Sequence, residues 1–161
     1  ELGMKGSGKD ENKRAPMYWS KDGNAEGMCK GPADMDDFRM KFDSLEEQQE
    51  DPDSIYNYVK QVIRVRNQNP VIARGTTAYL EQYSGEQCFA LTRSYEGSNL
   101  LLLGNTSAEA VSVDLTGLTV GGTTAEELVL LGELYTGEET AERAGTVVTL
   151  PAYSILILGE E

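Results

Sequence analysis

The chain has 161 residues, long enough for one packed domain or a domain plus a tail, and it carries a net charge of −13, which repels phosphate backbones and argues against a nucleic-acid partner. It has no histidine, so Ser-His-Asp and Cys-His nucleophile machinery is excluded within these residues and the commonest zinc ligand is missing. No apolar run is long enough to span a bilayer.

Residues 1–43 read as irregular. Glycine and lysine recur early, Pro16 and Pro32 break any period, and Asp34, Asp36 and Asp37 form an acidic cluster. A structureless stretch this long is unusual in a compact domain and suits a loop draped over something larger. Ser44-Leu45-Glu46-Glu47 is a capping box that starts a short helix through about Glu50. Asp51-Pro52 then reads as the N-cap and first position of a helix of roughly four turns. Ile55, Tyr58, Val59 and Val62 fall on one face of it, and Ile63 widens the stripe. Arg64 and Arg66 suit its C-terminal end, and Asn69-Pro70 stops it.

After Gly75 the period changes from helical to alternating. Residues 76–83 and 88–95 flank Ser84-Gly85-Glu86-Gln87 as a hairpin. Leu100 to Leu103 is a solid apolar run, the pattern of a central strand buried on both faces. Strands follow over 110–115, with Val111, Val113 and Leu115 on one side, and over 128–134, 146–150 and 154–158. Pro151 cannot donate to a ladder, so it belongs at an edge or bulge. Seven short strands with turn signals between them predict an antiparallel sandwich or barrel. The fold class is mainly β: a sandwich preceded by an irregular segment and one helix.

Charge supports a boundary near Gly75. Residues 1–74 hold 12 of the 14 basic residues against 14 acids, whereas 75–161 hold only Arg93 and Arg143 against 13 acids. All five methionines lie at or before Met40. Cys29 and Cys88 sit one in each part, a placement that favours buried free thiols over a disulfide.

The segments that bracket these elements carry a resemblance. Glu1-Leu2-Gly3-Met4 and Arg14-Ala15-Pro16-Met17-Tyr18-Trp19 resemble the stretch after the eighth barrel strand in the α-amylase family of glycoside hydrolases, glycoside hydrolase family 13. Residues 44–75 are similar to the last barrel helix and its exit, with matches at Gln48, Asp51, Pro52, Ser54, Ile63, Arg66, Asn69, Pro70 and Gly75. Residues 150–158 resemble the last strand of that family's C-terminal β domain. The resemblance implies a tail of a (β/α)8 barrel over 1–74 and a Greek-key β-sandwich over 75–161. It implies a retaining parent enzyme acting on α-glucans such as starch and maltooligosaccharides, of the EC 3.2.1 class, whose carboxylates stand about 5 Å apart and lie before Glu1. No catalytic residue is therefore expected in this chain, which alone is expected to be inactive. Its expected partner is the missing barrel, with self-association through the exposed helix face in its absence.

The resemblance places Asp10 to Arg14 on the active-site rim. Lys13 or Arg14 there hydrogen-bonds sugar hydroxyls or a catalytic carboxylate, or the loop is stapled by its own ion pairs. Trp19 stacks on a sugar or, the favoured reading, plugs the loop against the barrel. Tyr79 and Tyr83, four apart on one strand, would share a face, with core or edge packing favoured over a sugar platform. The acidic cluster lacks the spacing of an EF-hand, and Gly6-Ser7-Gly8-Lys9 lacks that of a phosphate loop, so no metal or cofactor is assigned to the chain. The resemblance allows calcium in the parent and favours a secreted or cell-surface location over a cytoplasmic one. The alternatives are an autonomous carbohydrate-binding sandwich, supported by Tyr79, Tyr83 and Tyr95, and the tail of a non-catalytic relative.

Overall fold

The computed structural model describes residues 2–3, 8–22, 26–36 and 42–160. Glu1, Met4, Gly6, Ser7 and Asp37 of the motifs above lie outside them. By contact the chain divides into two compact units, Glu1–Lys60 and Gln61–Glu161.

In the first unit a 3-10 turn covers Asp10–Arg14 and helix α1 covers Leu45–Glu50. The capping box forms as the sequence predicts. Ser44 Oγ accepts from the Glu47 N–H at 3.3 Å, and the Glu47 carboxylate accepts from the Ser44 N–H at 3.0 Å. The two N–H groups that the box leaves over are taken by carbonyls: Leu45 donates to Tyr18 at 2.8 Å and Glu46 to Trp19 at 3.1 Å. All three leading donors of α1 are thereby satisfied.

Helix α2 covers Ile55–Gln68, so the expected Asp51 cap and Pro52 start are corrected. Asp51 Oδ1 instead accepts from the Asp53 N–H at 2.9 Å in a local turn. Ser54 takes the capping role: its Oγ accepts from the Asn57 N–H at 3.2 Å and donates to the Gln48 carbonyl at 2.6 Å. Asp and Ser are both good caps, and the bond to Gln48 decides for Ser54. Buried Gln48 also donates to the carbonyls of Leu2 at 3.0 Å and Asp43 at 2.9 Å and accepts from the Tyr56 N–H at 3.1 Å. That hub accounts for the match at Gln48 and Ser54. The α2 stripe is only half covered: Tyr58, Val59 and Val62 are half-buried, whereas Ile55 is 51% and Ile63 52% exposed.

Asn69-Pro70 ends α2 as predicted, but Pro70 also opens a further helix, α3, over Pro70–Arg74. Ten strands follow: β1 Thr76–Tyr79, β2 Cys88–Tyr95, β3 Ser98–Asn105, β4 Val111–Asp114, β5 Thr119–Val120, β6 Thr123–Thr124, β7 Val129–Leu134, β8 Glu142–Ala144, β9 Val147–Leu150 and β10 Ile155–Gly159. They form an antiparallel five-stranded sheet in the order β1-β2-β3-β10-β7, a three-stranded sheet β4-β9-β8 and a β5-β6 ribbon. The chain leaves β3 for the other sheet and returns, so that the last strand lies between β3 and β7.

The leucine run sits in β3, the middle strand. Leu101 and Leu103 face a core with Val113, Leu115, Leu128, Val148, Leu150, Leu156 and Leu158. Leu100 faces the opposite side, where Ile157 and Val71 of α3 cover it. Both faces of the strand are thus apolar because both are covered.

Three strands escape the sequence pattern. Strands β5 and β6 have two residues each, joined through Gly121 and Gly122, and β8 is exposed throughout, so none carries an apolar period. The paired Tyr79 and Tyr83 do not share a strand face: β1 ends at Tyr79, which is 62% exposed, and Tyr83 lies on a 3-10 turn at Glu81–Tyr83. Tyr83 packs on the core and donates its hydroxyl to the Thr116 carbonyl at 3.2 Å. Pro151 is buried in the turn between β9 and β10 rather than at an edge. Both cysteines are free, but Cys29 is exposed and Cys88 only half-buried, so neither is a buried thiol.

Arg93 and Arg143, the two basic residues after Gly75, are both spent on backbone carbonyls. Arg93 donates to Ile72 at 2.7 Å and Val71 at 3.4 Å, at the end of α3, and also to the Thr77 hydroxyl. Arg143 donates to Leu128 at 2.6 Å, Gly145 at 3.3 Å and Ala125. Among the described residues neither forms an ion pair.

Candidate functional site

The sequence places its candidate site on the first unit, in the segment running from the 3-10 turn to Asp36. The turn carries Asp10 and Glu11 in its first half and Lys13 and Arg14 in its last, the order that a helical dipole favours. Arg14 pairs with Asp10 four residues back, and Lys13 is exposed. Trp19 is 48% exposed while its carbonyl is held by α1. Among the described residues no hydrogen bond or ion pair joins Lys13 or Arg14 to Trp19. Lys13 and Trp19 are thus both exposed, and Arg14 is paired within its own turn.

The residues that the fold does bring together are Lys9, Asn12 and Asp36. Asn12 is buried and pairs twice with Asp36: its Nδ2 donates to Oδ2 at 2.8 Å, and its Oδ1 accepts from the Asp36 N–H at 3.0 Å. Lys9 Nζ lies 2.8 Å from Asp36 Oδ1. Lys9 foremost, then Asn12, holds the Asp36 carboxyl below its ordinary range. Asp36 of the acidic cluster thus closes a loop. Among the described residues no group of three Asp, Glu, Cys or His is placed to hold a metal ion. Nothing in the sequence singles out Asn12, since a contact 24 residues away leaves no local pattern.

Among the described residues four carboxylates are held below their ordinary range, each by hydrogen bonds first: Asp36 as above, Glu47 by Ser44, Asp114 by Thr116 and Thr146, and Glu127 by Thr124. These surroundings favour the anion. A glycosidic acid needs the opposite shift, so none of the four suits proton donation at neutral pH. The acid pairs Glu126-Glu127 and Glu138-Glu139 are exposed.

In the second unit an open cleft of about 260 Å³ lies between Leu115–Thr119, Thr124–Glu126 and Thr146. Its floor is Leu115, Leu118 and Ala125, and its rim carries threonine hydroxyls. Ordinary ligand pockets start at roughly 300 Å³, and this cleft has no aromatic wall. Among the described residues no helix is long and apolar enough to cross a membrane.

No protein-family model matches the chain. Solved structures do. Eubacterium rectale Amy13B is 39% identical over 99% of this chain and 30% of its own, with a TM-score of 0.88. The α-amylase from H. orenii is 25% identical over 100% of this chain and 31% of its own, with a TM-score of 0.70. The MUTB F164L mutant, from crystals soaked with trehalulose, shares the fold at a TM-score of 0.66 and 24% identity, over 92% of this chain and 25% of its own. The chain thus spans about a third or less of the proteins it matches. The chain is thus similar to the C-terminal region of members of the α-amylase family of glycoside hydrolases, glycoside hydrolase family 13.

Proposed function

We propose that this chain serves as the C-terminal part of a retaining glycoside hydrolase that acts on α-glucans, supporting a catalytic barrel and carrying no catalytic residue of its own. The observation behind this reading is the 39% identity with Amy13B over 99% of the chain against 30% of that protein. A family member of that length keeps most of its residues outside the matched part, and a retaining mechanism needs two carboxylates about 5 Å apart across the glycosidic bond. The partly covered stripe of α2 fits a helix that has an apolar neighbour in the complete enzyme. Lys13, Arg14 and Trp19 then belong to the rim of the substrate cleft, where Lys13 and Arg14 supply hydrogen-bond donors and Trp19 an apolar face.

The test is an assay of the 161-residue chain and of the complete gene product on maltooligosaccharides. Turnover by the complete protein and none by this chain is the expected result. Turnover by this chain, free of contaminating enzyme, would refute it. A complete protein whose barrel lacks the two aspartates and the glutamate of the family, and which turns over nothing, would make this the tail of a non-catalytic relative.

A further inference from the structure

Asp51–Pro52 is the one Asp-Pro bond in the chain; the other four prolines follow Ala15, Gly31, Asn69 and Leu150. Such a bond is weak toward acid for two chemical reasons. The aspartate side chain can reach its own carbonyl carbon and close a five-membered ring. The proline nitrogen is a tertiary amide, more basic than an ordinary peptide nitrogen and a better leaving group once protonated. Both reasons hold for any Asp-Pro bond. What surrounds this one is specific to the fold.

The bond lies between α1 and α2, and Asp51, Pro52 and Asp53 are all exposed, so water and protons reach the proline nitrogen. The Asp51 side chain is turned forward along the chain, where its Oδ1 accepts from the Asp53 N–H at 2.9 Å. Among the described residues no lysine or arginine pairs with that carboxylate and draws it away. The Asp51 carbonyl oxygen receives two donors: Asn57 Nδ2 stands 2.8 Å from it, and the Ser54 N–H 3.2 Å. Both donors are held from elsewhere. Asn57 Nδ2 also donates to the Gln48 carbonyl at 2.9 Å, and the hydroxyl of buried Ser54 donates to the same carbonyl at 2.6 Å. Two preset donors on a carbonyl oxygen, with an oxygen nucleophile on the same residue, make up an oxyanion site.

We propose that Asp51–Pro52 is a self-cleavage site, cut in acid faster in the folded chain than in the unfolded one. A carboxylate oxygen of Asp51 attacks the Asp51 carbonyl carbon, and the carbonyl oxygen takes up negative charge opposite Asn57 Nδ2 and the Ser54 N–H. The C–N bond then breaks. The Pro52 nitrogen takes a proton from solvent and leaves as a secondary amine, and a five-membered cyclic anhydride remains on Asp51. One water opens the anhydride, so Asp51 ends with a side-chain and a terminal carboxyl group. The cut severs the covalent path from α1 to α2, while the bonds of Tyr56 and Asn57 to Gln48 span it. It involves none of Lys13, Arg14 or Trp19 and needs no substrate.

The experiment holds the 161-residue chain in the most acidic buffer in which its far-UV circular dichroism matches that at neutral pH, and follows fragments by mass over time. The same buffer with urea supplies the unfolded chain. Fragments ending at Asp51 and starting at Pro52 are expected about tenfold faster from the folded chain, and Asn57→Ala is expected to lose about tenfold. Asp51→Glu, one methylene too long for the five-membered ring, is expected to leave the bond intact. In heavy-oxygen water the label should enter both carboxyl groups of Asp51, since either carbonyl of the anhydride accepts the water. A folded chain cut no faster than the unfolded one overturns the proposal, and that comparison needs no variant. So does a folded Asn57→Ala cut at the wild-type rate, or an Asp51→Glu cut like wild type. Label confined to the terminal carboxyl overturns it as well, because direct hydrolysis would then be the route.

Discussion

Glu46 donates its backbone N–H to the carbonyl oxygen of Trp19 at 3.1 Å. The residue that the rim reading depends on is thus held by the first turn of α1, not by its own side chain. Anything that unravels α1 should release Trp19, which is the only tryptophan in the chain and so reports on the first unit alone.

Ser44→Ala is the change that tests this link. It removes the oxygen that caps the Glu47 N–H and should lower the stability of the first unit by about 1 kcal/mol. Tryptophan emission should shift at a lower temperature than in wild type, while far-UV signals from the strands keep their midpoint. The wild-type transition should also depend on acid. Glu47 is held below its ordinary value of 4.5 by Ser44, so its contribution is present above that pH and is lost as pH falls through the lowered value. An unchanged emission midpoint in Ser44→Ala would cut the proposed tie between cap and tryptophan.

Gly104 is needed for space rather than for its φ. A Cβ there would stand 2.1 Å from the Phe89 ring, which lies over the glycine across the β2–β3 ladder. Gly104→Ala should cost about 1–3 kcal/mol in urea unfolding. Adding Phe89→Ala should recover part of that loss, a coupling that a double-mutant cycle measures. Strict additivity of the two changes would show that the ring is not what excludes the methyl.

Asn105 joins the end of β3 to the β9–β10 turn. Its buried amide donates to the carbonyls of Glu109 at 2.7 Å, Pro151 at 2.8 Å and Leu150 at 3.2 Å. Asn105→Asp sets a carboxylate against three carbonyl oxygens and should cost about 1–3 kcal/mol at neutral pH. The aspartate would keep its proton, so its folded pKa should lie above the unfolded one. The variant should therefore be closest to wild type at low pH and lose stability as pH rises. A variant equally destabilised at pH 3 and pH 7 would contradict this arrangement.

Tyr135 should ionise late. Burial first, then the Glu133 carboxylate 2.6 Å from its hydroxyl, pushes it up to about 12. Unfolded tyrosine ionises near 10, so the stability that this group adds is complete below that pH and is lost as pH rises toward 12. Absorbance at 295 nm should show a late component, and Tyr135→Phe should remove it. A late component that persists in Tyr135→Phe would assign it to another ring.

What the sequence reveals depends on how local the determining contact is. The capping box at Ser44 and the leucine run of β3 are visible because four adjacent residues specify each. The start of α2 is misread because Asp51 and Ser54 are both cap residues, and only the bond from Ser54 to Gln48 separates them. Strand β8 is invisible because pairing with β9, not an apolar face, makes it a strand. The Asn12–Asp36 pair depends on a partner 24 residues away and leaves no period to read. Lys13, Arg14 and Trp19 reach the candidate site through family resemblance alone, since their spacing carries no chemistry.

The engagement of Arg93 and Arg143 with backbone carbonyls has a practical consequence for proteolysis. The last lysine is Lys60, so the second unit presents trypsin with arginines only, and after Arg74 with these two. Each is drawn onto the carbonyls of its own fold and must let go before it enters a protease. Trypsin should therefore trim the chain up to Gly75 and then pause, and the later cuts at Arg93 and Arg143 should keep time with the opening of the sandwich.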